Sequence, residues 1–248
     1  MCKDKARTMV NIDEGFLYGL GAFETVALEN GRFVMLDRHL ERLRKTCGFL
    51  GFTVSDDAIA TELDTLAHRS GRLACRITAT PDNVVASCRE NPYAQPIWQR
   101  GFDCRISSVR RNETSPLVAH KTLNYAENLL EKRAARKDGF DEPLFLNTRG
   151  FATEGATSNF FAVIDGHLVT PDEGCGLLPG IMRGWVLERT RAQRRPIDAG
   201  ELACADEVFL TNSLFGIMPV RSLEGRALPS RAVAEKLRAR YLDFIGGA

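Results

Sequence analysis

Residues 22–36 read AFETVALENGRFVML, and this stretch decides the fold class. Two largely apolar runs, residues 22–28 and 32–36, flank the dipeptide Asn30-Gly31. Asn-Gly supplies the positive φ angles of a tight hairpin turn, so the two runs are predicted to pair as antiparallel strands. The segment after the hairpin has apolar residues at helical spacing, with Asp37 as the expected N-cap and Gly48 as the expected end.

The same alternation of hairpins and helices continues along the chain. Further helices are predicted at residues 56–70, from Asn124 to Gly139, after Gly180 and at residues 230–244. Further strands are predicted at residues 73–80, 84–89, 102–109, 143–146, 160–164, 167–170 and 208–211. The pattern predicts a mixed α/β (α+β type) fold with largely antiparallel sheets, rather than a doubly wound parallel sheet.

A polar, proline-containing stretch divides the chain. Residues 112–118 include Asn112-Glu113-Thr114-Ser115-Pro116 and are interpreted as a linker. A small N-terminal α/β domain (residues 1–111) and a larger C-terminal α/β domain (residues 119–248) are therefore expected on its two sides.

Charge and cysteine content limit the function classes. The 248 residues carry a net charge of +1, so no long-range field favours nucleic acid or an anionic membrane. The seven cysteines are scattered and form no C-x-x-C pair, which is typical of reduced thiols. With no apolar signal segment and no span of ~20 apolar residues, the sequence predicts a cytoplasmic protein. The cysteines are Cys2, Cys47, Cys75, Cys88, Cys104, Cys175 and Cys204.

Two common kinds of site are excluded by spacing. The four histidines lack metal-ligand spacing and are expected at the surface or behind a site, so no metal is predicted. The G-x-G at Gly19 and Gly21 is followed by a hairpin instead of a helix, which excludes a dinucleotide-binding fingerprint. The histidines are His39, His68, His120 and His167.

Four features could together bind an aldehyde cofactor with a phosphate group. Lys121 precedes a helix, Glu154 lies in a run of small residues, Gly180–Arg183 precede another helix, and Arg42 lies on the first helix. An amine, an acid and a helix N-terminus are what pyridoxal phosphate requires. Taken singly, each feature is equally typical of an exposed lysine, a turn glutamate, an ordinary loop-to-helix junction or an exposed arginine.

Six segments in a fixed order resemble one family. From about Asp13 to Val220 the chain resembles the class-IV aminotransferase family, the fold-type IV pyridoxal-phosphate enzymes. Before the first segment, the extra strand usual in this family is not obvious. The segments are DEGFLYGLGAFET, LDRHLERL, HKTLNYAENLL, TEGATSNFF, GLLPGIMR, and ADEVFLTNS followed by MPV.

The resemblance implies two α/β domains with pyridoxal 5′-phosphate between them, and a homodimer or larger assembly. It implies that Lys121 forms the Schiff base and Glu154 contacts the pyridine nitrogen. The phosphate would be held by Arg42, the N–H groups of Ile181 and Met182, and Ser213. Tyr125 would approach the ring oxygen. The substrate contacts implied are Tyr18, Leu20, Phe23, Thr78 and Asn212.

Three activities occur in this family: branched-chain aminotransferase, D-amino-acid aminotransferase and 4-amino-4-deoxychorismate lyase. Leu20 replaces a usual aspartate, Thr78 stands where D-amino-acid aminotransferases carry an arginine, and Thr211–Leu214 look most like the lyases. These features favour the lyase, which uses Lys121 as general base, releases pyruvate and forms 4-aminobenzoate for folate. An aminotransferase and a non-catalytic binding protein with the same fold remain alternatives.

Overall fold

The computed structural model describes residues 9–246, so the expectation for Cys2 lies outside the described residues. Within this range the chain forms two compact units. Of the described residues, unit 1 contains 9–91 and 121–124, and unit 2 contains 92–120 and 125–246. The expected mixed α/β fold class is confirmed. No helix among residues 9–246 is long and apolar enough to span a membrane.

Unit 1 is a four-stranded antiparallel sheet with helices packed against it. The strand order is β2-β1-β3-β4, and β1 lies against α2. Its core contains Val26, Leu43, Ile59 and Ile77, from two strands and two helices. The elements are α1 (Glu14–Tyr18), β1 (Ala22–Glu29), β2 (Arg32–Phe33), α2 (Leu36–Phe49), α3 (Asp56–Ala67), β3 (Arg72–Thr80) and β4 (Asn83–Glu90).

Unit 2 is built on a mixed sheet with the strand order β10-β9-β8-β11-β12-β5-β6-β7, and β13 pairs with β12. The pairs β12–β5, β5–β6 and β10–β9 are parallel, and the other pairs are antiparallel. The strands are β5 (Phe102–Arg111), β6 (Glu142–Asn147), β7 (Ala152–Gly155), β8 (Asn159–Ile164), β9 (His167–Thr170), β10 (Gln193–Arg194), β11 (Glu207–Asn212), β12 (Gly216–Leu223) and β13 (Arg226–Ala227). The helices are α4 (Gln95–Arg100), α5 (Ala126–Lys137), α6 (Ile181–Leu187), α7 (Ala199–Ala203) and α8 (Ala232–Gly246), with 3₁₀ turns at Pro116–Ala119 and Glu173–Cys175.

The local predictions around the first hairpin have mixed outcomes. Asn30 and Gly31 have φ angles of 50° and 84°, and β1 pairs with β2 as expected. The predicted N-cap at Asp37 is wrong, because α2 begins at Leu36 and its N-cap is Met35, two residues before Asp37, with a φ of 52°. Gly48 does not end the helix, which continues to Phe49. Between residue 9 and α1 the structure has no strand.

The division into units differs from the boundary expected at residues 112–118. Strand β5 pairs with β6 and β12, which both belong to unit 2. The chain therefore enters unit 2 at Pro92, before β5. A polar loop with a proline marks a break between elements, but the strand pairing decides which unit an element belongs to.

The prediction that all cysteines are reduced is wrong for Cys75 and Cys88, which form a disulfide. They lie directly opposite each other in the β3–β4 hairpin, with Cα atoms 4.1 Å apart. Each lies six residues from the observed two-residue turn at Pro81-Asp82, whereas the predicted connection at residues 81–83 was one residue longer and would have set Cys75 opposite Arg89. Four other described cysteines are free thiols, namely Cys47, Cys104, Cys175 and Cys204.

We expect non-reducing peptide mapping to recover the Cys75 and Cys88 peptides as one cross-linked species. Reduction should lower the free energy of unfolding by about 3 kcal/mol, because closing a loop of this length restricts the unfolded chain. Replacing the exposed thiol with Cys204→Ser is the matched control and should leave stability unchanged. Complete alkylation of Cys75 and Cys88 without reductant would contradict the disulfide.

Candidate active site

Lys121 is fixed to the sheet of unit 1 by its backbone. Its carbonyl oxygen accepts a hydrogen bond from the Phe23 N–H at 3.0 Å, and the Leu123 N–H donates to the Gly21 oxygen at 2.8 Å. Thr122 forms an antiparallel bridge with Ala22 between these two bonds. The segment thus extends the edge of β1, and the half-buried lysine is held more firmly than an exposed loop lysine would be.

The lysine side chain lies on an aromatic ring that carries a second cation. Lys121 Nζ is 4.4 Å from the Phe23 ring centroid, and the Arg76 guanidinium carbon is 3.7 Å from the same centroid. Arg76 Nε also donates to the Thr78 hydroxyl at 3.2 Å, and Thr78 is the cross-strand partner of Phe23. Two of the residues expected to contact substrate, Phe23 and Thr78, are therefore adjacent in unit 1.

Arg42 belongs to a buried group of charges in unit 1. Its Nε and Nη2 donate to the two carboxylate oxygens of Glu24 at 2.7 and 2.8 Å. His39 Nδ1 lies 2.7 Å from Glu24 Oε2, and neither His39 nor Glu24 has exposed surface. Burial raises the pKa of Glu24, but the Arg42 guanidinium and His39 outweigh it and lower that pKa to about 2. His39 is therefore not at the surface but buried against Glu24, which corresponds to the second of the two positions expected for the histidines, behind a site.

The remaining substrate candidates of unit 1 lie on or after its first helix. Tyr18, in the last position of α1, is 69% exposed, and Leu20 is half-buried. Gly19 between them has a φ of 73°, and a Cβ there would lie 2.8 Å from Asn124 Oδ1. Asn124 Nδ2 in turn donates to the Gly19 oxygen at 3.1 Å. This loop is thus tied to the segment that carries the lysine.

In unit 2, Glu154 lies on β7 with 8% of its surface exposed. Its Oε2 accepts hydrogen bonds from the Leu178 N–H at 3.1 Å and from Asn159 Nδ2 at 3.3 Å. Asn159 also donates to the Leu178 oxygen at 2.9 Å. These bonds hold the carboxylate in one orientation.

Arg111, which sequence reasoning did not single out, is the cation beside this acid. Its Nη2 lies 3.6 Å from Glu154 Oε1, and its guanidinium carbon is 4.3 Å from the Phe145 ring centroid. Nε and Nη2 are buried without a hydrogen-bond partner in the described part of the chain. An adjacent positive charge favours the ionised form of a carboxylate. Arg111 and Glu154 are far apart in sequence, so no local motif could reveal the pair.

The loop after Glu154 is held by a buried ion pair. Lys132 Nζ lies 2.8 Å from Glu142 Oε2, and burial of Lys132 is outweighed by the Glu142 carboxylate, which raises the lysine pKa. Glu142 Oε1 accepts from the Thr157 N–H at 2.6 Å and from the Ser158 hydroxyl at 3.0 Å. Glu142 on β6 therefore anchors the loop that follows Glu154.

Two predicted site residues bind the same loop. The Tyr125 hydroxyl donates to the Ala156 oxygen at 2.7 Å, and Asn212 Nδ2 donates to the Thr157 oxygen at 3.2 Å. Asn212 ends β11, and Ser213 follows it in half-buried surroundings. Tyr125 and Asn212 are thus brought together with the loop that follows Glu154.

Helix α6 begins at Ile181, after Gly180 as the N-cap. No side chain caps this end, so the first N–H groups of the helix have no hydrogen-bond acceptor within the helix or on the N-cap side chain. A Cβ on Gly180 would lie 2.0 Å from Asn159 Oδ1, so only glycine permits this close approach. Arg183 points elsewhere, because its guanidinium donates to Glu173 at 2.6 Å and to the Pro171 oxygen at 2.8 Å.

The donor set fits pyridoxal phosphate. Taken separately, unit 1 contains an amine at Lys121 and an arginine at Arg42, and unit 2 contains the fixed carboxylate of Glu154 and an uncapped helix start at Ile181, which are the kinds of group that this cofactor requires. The unsatisfied Nη2 of Arg111 next to Glu154 suits an acid that must stay anionic. Among residues 9–246, no cluster of three or more His, Cys, Asp or Glu residues could hold a metal ion.

Comparison with known proteins agrees with this chemistry. Residues 21–223 match the model of the amino-transferase class IV family. The chain is 30% identical to a putative branched-chain-amino-acid aminotransferase of Methanocaldococcus jannaschii, over 94% of this chain and 89% of that protein. It is also 30% identical to the aminodeoxychorismate lyase of Bacillus subtilis, over 90% and 84% of the two chains.

The fold agrees as well. The structure of 4-amino-4-deoxychorismate lyase from Pseudomonas aeruginosa superimposes with a TM-score of 0.84 and 32% identity, covering 95% of both chains. The chain belongs to the class-IV aminotransferase family and is an enzyme that uses pyridoxal 5′-phosphate.

Proposed function

We propose that the enzyme is a 4-amino-4-deoxychorismate lyase, which releases pyruvate and forms 4-aminobenzoate, a folate precursor. The observation that carries the proposal is the similarity to the Pseudomonas aeruginosa lyase along 95% of both chains. Leu20, Thr78 and the segment Thr211–Leu214 support the same subgroup. The B. subtilis lyase relative adds to this support.

The residues that would hold the cofactor follow from their chemistry. The Lys121 amine would bond to the aldehyde carbon, and the Glu154 carboxylate, with Arg111 beside it, would accept a hydrogen bond from the ring nitrogen. Arg42, the Ile181 and Met182 N–H groups and the Ser213 hydroxyl would hold the phosphate. When bound, pyridoxal phosphate supplies an electron sink for the carbon that loses its proton.

Lys121 would then act as general base. Once the substrate's amino group has displaced it, its amine would take the proton from C4 of aminodeoxychorismate. The enolpyruvyl oxygen would leave the neighbouring carbon with the electron pair of the C–O bond, and the released enolpyruvate would take up a proton to become pyruvate. Loss of the two groups leaves the aromatic ring of 4-aminobenzoate.

The hydrogen bond that the Tyr125 hydroxyl already makes limits how this residue could contact the cofactor. Its only hydroxyl proton is donated to the Ala156 oxygen at 2.7 Å. While that bond is intact, the phenol oxygen can only accept a hydrogen bond. We infer that it would lie beside the ring oxygen and fix the ring against the loop that follows Glu154, and that it could donate to that oxygen only if its bond to Ala156 were released.

The second candidate is an aminotransferase acting on branched-chain or D-amino acids. The Methanocaldococcus jannaschii relative, equally identical to this chain, favours it. Such an enzyme would use the same Lys121 and Glu154, and would pass the amino group to a 2-oxo acid. The two candidates differ in products, so an assay of products separates them.

Lys121→Met should abolish covalent attachment of the cofactor. After borohydride reduction, mass spectrometry should find one reduced cofactor group on Lys121 of the wild type and none on the variant. Turnover should fall by roughly 10²–10⁴-fold or more, the range for loss of a general base. Lys137→Met removes an exposed lysine at the end of α5 and should behave as wild type. Attachment at another lysine in the wild type would disprove the assignment.

The lyase is tested by supplying its substrate in situ. Purified protein with aminodeoxychorismate synthase, glutamine and chorismate should release pyruvate and 4-aminobenzoate in equal amounts. The Lys121→Met protein is the control for the synthase alone. Absence of pyruvate, together with amino transfer from a branched-chain or D-amino acid to 2-oxoglutarate, would replace the lyase by the second candidate.

We further propose that the enzyme works in the cytoplasm as a homodimer. The free thiols of Cys47, Cys104, Cys175 and Cys204 support the location, whereas the Cys75–Cys88 disulfide argues against it. A group of exposed apolar side chains on unit 1 supports the dimer, because large apolar patches are usually covered by a partner. The most exposed are Met9, Ile12, Phe16, Leu17 and Tyr18.

Sedimentation should therefore give about twice the chain mass of 27.5 kDa. Phe16→Asp places a charge on this patch and should shift the population toward the monomer. A surface charge elsewhere, such as Thr61→Asp on the exposed side of α3, is the matched control and should leave the dimer intact. A wild-type protein that sediments as a monomer would contradict the proposal.

A further inference from the structure

A charged residue lies inside the apolar core of unit 1. Glu24 is in the middle of β1, between Ala22 and Val26 on the face that packs against α2. His39 and Arg42 are three residues apart on α2, so their side chains lie on one face of the helix and reach the same carboxylate. All three groups form one compact cluster.

Stability alone does not account for this cluster. Removing a carboxylate and a guanidinium from water is costly, and apolar replacements of buried ion pairs are often neutral or stabilising. The neighbours of Glu24 on this face are apolar and could pack around an apolar side chain. The cluster therefore calls for a role beyond holding β1 against α2.

The geometry points to such a role. Glu24 binds Nε and Nη2, which form one edge of the planar guanidinium. A bidentate bond of this kind fixes the plane and the direction of the whole group. Fixing that edge also sets the direction in which the Nη1 side points. A lysine at position 42 could not be oriented in this way.

His39 completes the arrangement from behind. The ionised Glu24 can only accept hydrogen bonds, so the Nδ1 of His39 must carry the proton that is shared with Oε2. Burial lowers the pKa of His39, which keeps the ring neutral. The cluster then consists of one negative, one positive and one neutral group, and His39 prevents the carboxylate from turning away from Arg42.

We infer that Glu24 and His39 are positioning residues that hold the Arg42 guanidinium in the orientation that binds the cofactor phosphate. The inference rests on the proposed role of Arg42 in phosphate binding. Glu24 and His39 would act through Arg42, and their effect would come from the orientation of the guanidinium and not from its charge. If Glu24 merely cancelled the charge of Arg42, removing its own charge would strengthen phosphate binding instead of weakening it.

The test compares two ligands that differ only in the phosphate. Apo full-length protein is titrated with pyridoxal phosphate and with pyridoxal. The dissociation constant of pyridoxal divided by that of pyridoxal phosphate is the ratio that measures the contribution of the phosphate. Glu24→Gln should reduce this ratio by about tenfold, as expected when a charge-assisted bond is misplaced. Its pyridoxal affinity should stay near that of wild type. Arg42→Met should reduce the ratio at least as much.

Variants of His39 keep the test decisive if Glu24→Gln fails to fold. His39→Leu removes the donor to Glu24 and should lower the ratio, whereas His39→Asn retains an N–H donor and should restore most of it. Combining Glu24→Gln with Arg42→Met should lower the ratio no further than Arg42→Met alone, because both act on one interaction. Glu29→Gln, which removes the partner of Arg72 at the end of the same strand, is the matched control.

The outcomes distinguish a failure of this inference from a failure of the proposed role of Arg42 in phosphate binding. If Arg42→Met leaves the ratio unchanged, Arg42 does not bind phosphate, and both the assignment and the inference fall. If Arg42→Met lowers the ratio but Glu24→Gln and His39→Leu leave it unchanged or raise it, only the inference is overturned. Equal losses of pyridoxal and pyridoxal phosphate affinity in Glu24→Gln and His39→Leu would mark a merely structural role and would also overturn it.

Discussion

The pairing of the segment Lys121–Asn124 with β1 is the constraint on which the rest of the site depends. Two backbone hydrogen bonds and one bridge attach Lys121, the proposed Schiff-base residue, to a sheet instead of a loop. This pairing requires Gly21, because a Cβ there would lie 2.6 Å from the Leu123 side chain. The position of the proposed nucleophile is thus set by backbone pairing before any side chain takes part.

Buried carboxylates are the second feature that organises the structure, and those of Glu24, Glu142 and Glu207 each bind several groups. Glu24 orients an arginine in unit 1, and Glu142 anchors the loop that follows Glu154. Glu207 accepts from the Ala234 N–H at 2.7 Å and so secures the start of α8. In each case the carboxylate binds groups that are distant in sequence, and so it holds separate segments of the chain together.

The sequence predicted what is encoded locally. The hairpin at Asn30-Gly31 follows from two residues with positive φ, and the family follows from six short motifs around Lys121 and Glu154. The sequence did not reveal the partners of these residues, because Arg111 and Glu154 are brought together only by the pairing of β5 with β6 and of β6 with β7. Met35 replaced Asp37 as the cap because the turn before α2 took a left-handed residue. The disulfide, too, was missed, because it depends on a hairpin turn one residue shorter than the predicted connection.

The path of the chain has a consequence for how such an enzyme can change. The first part of unit 1 ends at Asn91, and its lysine segment follows only after the 29 residues Pro92–His120, which belong to unit 2. Neither unit is a contiguous stretch of the gene. A recombination event that exchanged residues up to Asn91 would transfer the sheet, Glu24 and Arg42 without the Lys121 segment that belongs to the same unit. New activities in this architecture must therefore arise by substitution within the existing chain more readily than by shuffling of units.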